Sequence, residues 1–193
     1  LRAIAAIYPN YVQIVASQES GITDLAGLKG KALSVGAPAS GTELNARAIF
    51  GAAEMSYDDL GKTEYLPFAE SVELIKNRQL DLASSLPITV VAVPAEIAEK
   101  LGAPFAAAEI PAGTYDGQDA AVPTLAITNI LVTSSEVDEE LAYQMTKQLF
   151  ENLPELIAAH NAAEGIDPKT AGKNLPVPLH PGAERYYKEA GLL

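Results

Sequence analysis

The sequence predicts an α/β fold, a mostly parallel sheet with helices packed on it. Two observations carry that expectation. The first half alternates short apolar runs with amphipathic stretches at close intervals, the pattern of strands joined by helical crossovers. Within it, residues 31–43 run an apolar strand into a turn of small residues and then into an amphipathic helix. With 193 residues, 48% of them hydrophobic, the chain can bury a substantial core, in one large domain or two small lobes.

Strands are expected at residues 3–7, 12–16, 32–35, 64–66, 80–83 and 88–93. Thr23 is placed to cap a short helix over 24–28 that stops at Gly30. Ser40, with Glu43 three residues on, is a capping-box pattern, so the next helix should begin near Gly41 and run to Met55, burying Leu44, Ala48, Ala52 and Met55. A helix over 70–77 would bury Val72 and Ile75. In the second half the long apolar segment 122–132 is followed by Ser134 and Ser135 as caps, then a helix with Val137, Leu141, Met145 and Leu149 on one stripe. Pro154 opens a further helix reaching His160, and a proline-locked loop over 175–182 leads to a short helix at 185–189. Only Ser84 to Pro87 separates two expected strands, too little for a parallel crossover, so this is a tight hairpin or a crossover is missing. The stretch 102–117, with Pro104, Pro111 and Gly113, reads as an irregular passage between lobes, dividing the chain into 1–103 and 104–193.

A formal charge of -12 excludes the basic stripe that nucleic-acid binding needs and disfavours adhesion to an anionic membrane surface. No segment is long and apolar enough to insert in a membrane. The start at Leu1, with no initiator Met and no basic region ahead of an apolar run, reads as a mature product or a fragment. With no Cys, two His and no paired acidic spacing, no metal site or other cofactor is expected. His160 and His180 read as capping or structural hydrogen-bonding residues. Ser40 lacks the G-x-S-x-G elbow of a hydrolase nucleophile, and the turn 36–42 lacks the Lys of a P-loop, so no catalytic residues are expected and the chain is not read as an enzyme.

The turn ending in Ser40, Gly41 and Thr42 is the principal candidate site. The first N–H groups of the helix have no helical partner, and with the positive end of the dipole they favour a carboxylate or phosphate. From spacing alone, an ordinary capped helix is the favoured explanation of the pattern. Tyr8, ahead of Pro9, stands either as a group that stacks on or hydrogen-bonds a ligand or as a half-buried residue bonded to backbone. Phe68 to Ser71 form a second strand-to-helix turn of the same kind, for which a structural role is the simpler reading.

Leu1-Arg-Ala-Ile-Ala-Ala-Ile-Tyr-Pro9, Val35-Gly-Ala-Pro-Ala-Ser-Gly-Thr-Glu43, Tyr65-Leu-Pro-Phe-Ala-Glu-Ser71, Ile110-Pro-Ala-Gly-Thr-Tyr115, Leu149-Phe-Glu-Asn152 and Leu179-His-Pro-Gly-Ala-Glu-Arg-Tyr-Tyr187 fall in an order that resembles the TAXI subfamily of periplasmic solute-binding proteins serving TRAP transporters. The resemblance implies a two-lobed type II periplasmic-binding-protein fold that closes about a hinge on a small organic anion or amino acid, glutamate-like ligands among them. The membrane subunits of a TRAP transporter would be its partner. It implies ligand contact at Tyr8, Ala37, Ser40, Gly41, Thr42 and Phe68. Members of that subfamily carry a Gly-rich segment ahead of the point where this sequence starts and a helix where this chain has only Ser84 to Pro87, so the first lobe is expected to be incomplete. The same two-lobed fold also serves ligand-sensing domains of regulators and some enzymes. A regulator would need a basic helix-turn-helix, and this sequence has none.

Overall fold

A computed structural model describes residues 1–71 and 88–193. Its strands are β1 (Arg2–Tyr11), β2 (Val15–Ser17), β3 (Ala32–Ser34), β4 (Lys62–Glu64), β5 (Ile88–Val90), β6 (Phe105–Ile110) and β7 (Val122–Thr133). The α-helices with full bounds are α1 (Gly41–Ala52), α2 (Ala95–Leu101), α3 (Glu139–Glu151), α4 (Leu153–Ala159) and α5 (Pro181–Glu189). The expected strand over 80–83, the connection Ser84 to Pro87 and all but the start of the expected helix over 70–77 lie outside the described residues.

The α/β class stands, but the mostly parallel sheet does not. Among the described residues β1, β7 and β6 form one three-stranded sheet in that order, dominated by antiparallel pairing. β2 pairs antiparallel with β5, Val15 facing Val90 and Ser17 facing Ile88. Only β3 and β4 run parallel, Ala32 beside Lys62 and Ser34 beside Glu64. The physical reason lies in the connections. A parallel pair needs a crossover of a dozen or more residues, and α1 supplies one between β3 and β4. β1 and β7 are long runs that hydrogen-bond directly, and Pro9 is tolerated in β1 because that strand lies at the sheet's edge.

The chain forms two compact units, Leu1–Asn10 with Ile127–Leu193, and Tyr11–Ala126. In the second of these, Leu28, Val35, Ile49, Phe50, Val91, Val93 and Leu125 centre a core built between α1, α2 and the short strands. Helix α1 starts at Gly41 behind the Ser40 cap, as expected, and Ala52 and Met55 pack against the core, but Leu44 at its start does not. Leu44 is 56% exposed, while Ile49, Phe50 and the charged Glu43 turn inward. At the far end of α1, Lys100 Nζ on α2 donates to Ala52 O at 3.0 Å. The expected helix over 24–28 is a 3-10 turn, Ala26–Leu28, that Thr23 does not cap; Asp24 Oδ1 instead accepts from Gly27 N–H at 2.9 Å. The stretch 102–117 is not irregular throughout, because β6 forms within it.

The other unit is organised around Tyr187, fully buried among Ile4, Ala5, Ala142, Ala171 and Ala183. Its hydroxyl donates to Ile4 O at 3.0 Å. Helix α3 is capped by Asp138, whose carboxylate accepts from Glu140 and Leu141 N–H, so the Ser134–Ser135 cap assignment is corrected. Its buried residues are Ala142 and Thr146, whereas Leu141 is 55% exposed. Gly182 explains the choice of face. A Cβ there would sit 2.1 Å from Glu139 O and 2.6 Å from Tyr143 N, so α5 meets α3 backbone to backbone over small side chains. Helix α5 begins four residues earlier than expected because His180 caps it. The buried imidazole accepts from Gly182 N–H at Nδ1 and its Nε2 lies 3.0 Å from Val137 O.

Candidate functional site

Because β3 and β4 are parallel and in register, their carboxyl ends lie side by side, and each runs into a turn and a helix start. In α/β architectures the crevice outside the carboxyl ends of parallel strands is where ligands bind. The first turn is built by backbone constraints. Gly36, at φ 99°, has no room for a side chain, since a Cβ would meet Thr42 Cβ at 2.8 Å and Ser40 Oγ at 3.1 Å. Pro38 and Ala39 then make a turn closed by Ser40 N–H donating to Ala37 O at 3.1 Å. Ala39, at φ 57°, takes the left-handed position that a type II turn requires. Ser40 is extended, and its Oγ accepts from Glu43 N–H at 3.2 Å. Gly41 and Thr42 are exposed at the head of α1.

Ala37, Ser40, Gly41 and Thr42 therefore share one turn. Phe68 heads the neighbouring one, 84% exposed, where Ser71 N–H bonds back to Pro67 O at 3.0 Å. A contact that the sequence did not reveal joins the two turns: Ser34 Oγ and Ser71 Oγ are 2.6 Å apart. Tyr8 belongs to the other unit. There it is half-buried within β1, its carbonyl accepts from Asn129 Nδ2 at 3.0 Å, and Gly165 packs against its Cβ.

Beneath the first turn is a charged cluster that the stripe reading passed over. Glu43 is 3% exposed, yet only half of the expected capping box forms, because its carboxylate turns away from Ser40. Oε1 accepts from Arg47 Nε at 3.0 Å and Nη2 at 2.5 Å, and from the Tyr57 hydroxyl at 3.3 Å. Tyr57 also donates to Glu43 O at 3.1 Å, and the Arg47 guanidinium lies 5.3 Å from the centre of its ring. The i, i+4 spacing of Glu43 and Arg47 was the available signal.

Burial first, and then the Glu43 carboxylate, push the Tyr57 phenol up from 10.0 to about 12. The folded value lies above the unfolded one, so the stabilisation from the neutral phenol is complete below the unfolded value and is lost as pH rises through the folded one. Melting temperature measured across that alkaline window should show wild type losing its advantage over Tyr57→Phe. A constant difference between the two would contradict it.

The family model described as NMT1-like matches residues 1–191. The chain belongs to the NMT1-like family. This is a periplasmic-binding-protein-like family, whose members generally bind small ligands and are usually extracytoplasmic. The paired turns at the ends of β3 and β4 are thus the candidate ligand site of an NMT1-like solute-binding domain. Among the described residues no helix is long and apolar enough to cross a membrane, and no group of three or more His, Asp or Glu could hold a metal ion.

Proposed function

We propose that this NMT1-like chain is an extracytoplasmic solute-binding protein of a TAXI-type TRAP transporter. It binds a small carboxylate, such as a glutamate-like amino acid, and presents it unchanged to the transporter's membrane subunits. The observation that supports the carboxylate is the head of α1, where Gly41 and Thr42 stand exposed beyond a side-chain cap that serves Glu43 N–H. Those leading N–H groups and the helix dipole favour an anion, and Ala37, Ser40 and Phe68 border the same pair of turns. The order of motifs along the chain supports the TAXI assignment.

Thermal melting against a panel of carboxylates and amino acids tests this reading. A solute at a hundred times its Kd should add about 2.7 kcal/mol of stability by mass action. Gly41→Pro is the sharpest variant, because proline at the first helical position deletes one N–H while suiting both the helix and the extended Ser40 before it. The free protein should melt near the wild-type temperature, and affinity should fall by about 1.5–3 kcal/mol, the worth of a hydrogen bond to a charged group. A panel without any stabilising carboxylate, or chemical turnover of the one that binds, would overturn the proposal.

A further inference from the structure

We propose that Asp116 is a site of spontaneous covalent modification, isomerising to isoaspartate through a cyclic imide formed with Gly117, at a rate governed by the loop that Gln118 holds. The loop takes in Ile110 to Tyr115, a stretch that the candidate ligand site does not use. Asp116-Gly117 is the only Asp-Gly pair in the chain, and no Asn-Gly occurs. A following residue without a Cβ leaves its main-chain nitrogen free to approach the neighbouring carboxyl. Both residues are exposed. Among the described residues neither the Asp116 carboxylate nor Gly117 N–H has a partner, because the turn closes from Gln118 N–H to Tyr115 O at 3.0 Å, with Gly117 at φ 79°. The step conserves atoms. Gly117 N bonds to Asp116 Cγ, and its proton leaves with the carboxyl's hydroxyl as water, giving the imide. Water then adds at either imide carbonyl: at Cγ it restores aspartate, and at the main-chain carbonyl it leaves the chain running through Cβ, longer by one methylene. Ring closure needs rotation about the Asp116 Cα–C bond, which the closed turn resists. Gln118 holds that turn shut. Its Nε2 is shared among Ile110 O, Pro111 O and Ala120 O at 3.2, 3.0 and 3.1 Å, and its carbonyl accepts from Gly113 N–H at 2.7 Å. Tyr115 adds a second anchor by donating its hydroxyl to Gln13 Oε1. Gln118 Oε1 is buried with no partner among the described residues, a cost that lowers the energy needed to open the loop.

The test incubates the full folded chain for several weeks at neutral pH and physiological temperature, beside the same chain held unfolded in urea. Digestion with a protease that cuts before aspartate and not before isoaspartate, read by mass spectrometry, reports each site; methyl transfer by an isoaspartyl methyltransferase counts the total. In the folded chain isoaspartate should accumulate at position 116 faster than at any other Asp, and Asp116→Glu should remove that signal. Gln118→Ala should speed the conversion about tenfold towards the rate of the unfolded chain, because opening the loop becomes easier. Tyr115→Phe, which keeps the ring and loses only the bond to Gln13, should speed it by a smaller factor and decides the matter should Gln118→Ala not fold. A folded chain that stays unconverted at 116 while the unfolded chain converts would overturn the proposal. So would folded Gln118→Ala and Tyr115→Phe variants that both convert at the wild-type rate.

Discussion

Gly182→Ala should destabilise the unit containing α3 and α5 by about 3 kcal/mol, the upper part of the range for overpacked cores. The added methyl would lie 2.1 Å from Glu139 O and 2.6 Å from Tyr143 N. Both are backbone atoms of a hydrogen-bonded helix, so no rotamer change relieves the clash and the two helices must separate. Separation also breaks what surrounds the contact: the His180 Nε2 contact with Val137 O, the Arg185 pairings with Glu139 and Glu140, and the Phe150–Tyr186 ring stack. A melt followed by circular dichroism should show a fall of roughly 6–12 °C. Gly51→Ala is the control, since that helical glycine has nothing within 4 Å of its Cβ position, and it should hold or raise the melting temperature. Equal melting of Gly182→Ala and wild type would show that the helices do not meet as described.

Tyr187→Ala should cost about 3–5 kcal/mol, the usual penalty for emptying a buried aromatic site. The ring is fully buried, lies edge-on to Phe150 at 5.7 Å and to Tyr186 at 5.8 Å, and packs flush against Gly172. Tyr187→Phe separates the two contributions, because it keeps the ring and removes only the bond to Ile4 O, worth about 1 kcal/mol. Urea unfolding of both variants at neutral pH checks the partition. If Tyr187→Phe loses as much as Tyr187→Ala, the hydroxyl rather than the packed ring dominates.

The parts of this fold legible in the sequence are those decided locally. Gly36, Pro38, Ser40 and Glu43 specify the turn and the start of α1 within eight residues, and the structure places that start where the pattern does. Pro154 marks a helix start for an equally local reason. Burial was misread where a distant partner decides it. Leu44 and Leu141 lie on plausible apolar stripes, yet Glu43 is buried because Arg47 and Tyr57 satisfy it, and Ala142 is buried because Gly182, forty residues on, lets α5 close over it. Strand direction failed in the same way, since nothing local in residues 2–11 or 122–133 states which way their partners run. At the candidate site the first turn could be read directly. The Ser34–Ser71 contact could not, because it depends on the register of β3 against β4.

Lys100 gives α1 a second fixed point. Its ammonium ties the carbonyl end of the helix at Ala52, while Ser40 and Tyr57 pin the opposite end at Glu43. α1 is therefore a strut braced at both ends within its own unit, and under the proposed function its leading N–H groups are aimed before any solute arrives. Such preorganisation lowers the entropy lost on association, because the ordering of that turn is completed during folding. Affinity at this position should consequently depend on how well a solute matches the donors, with little contribution from the helix adjusting to the solute.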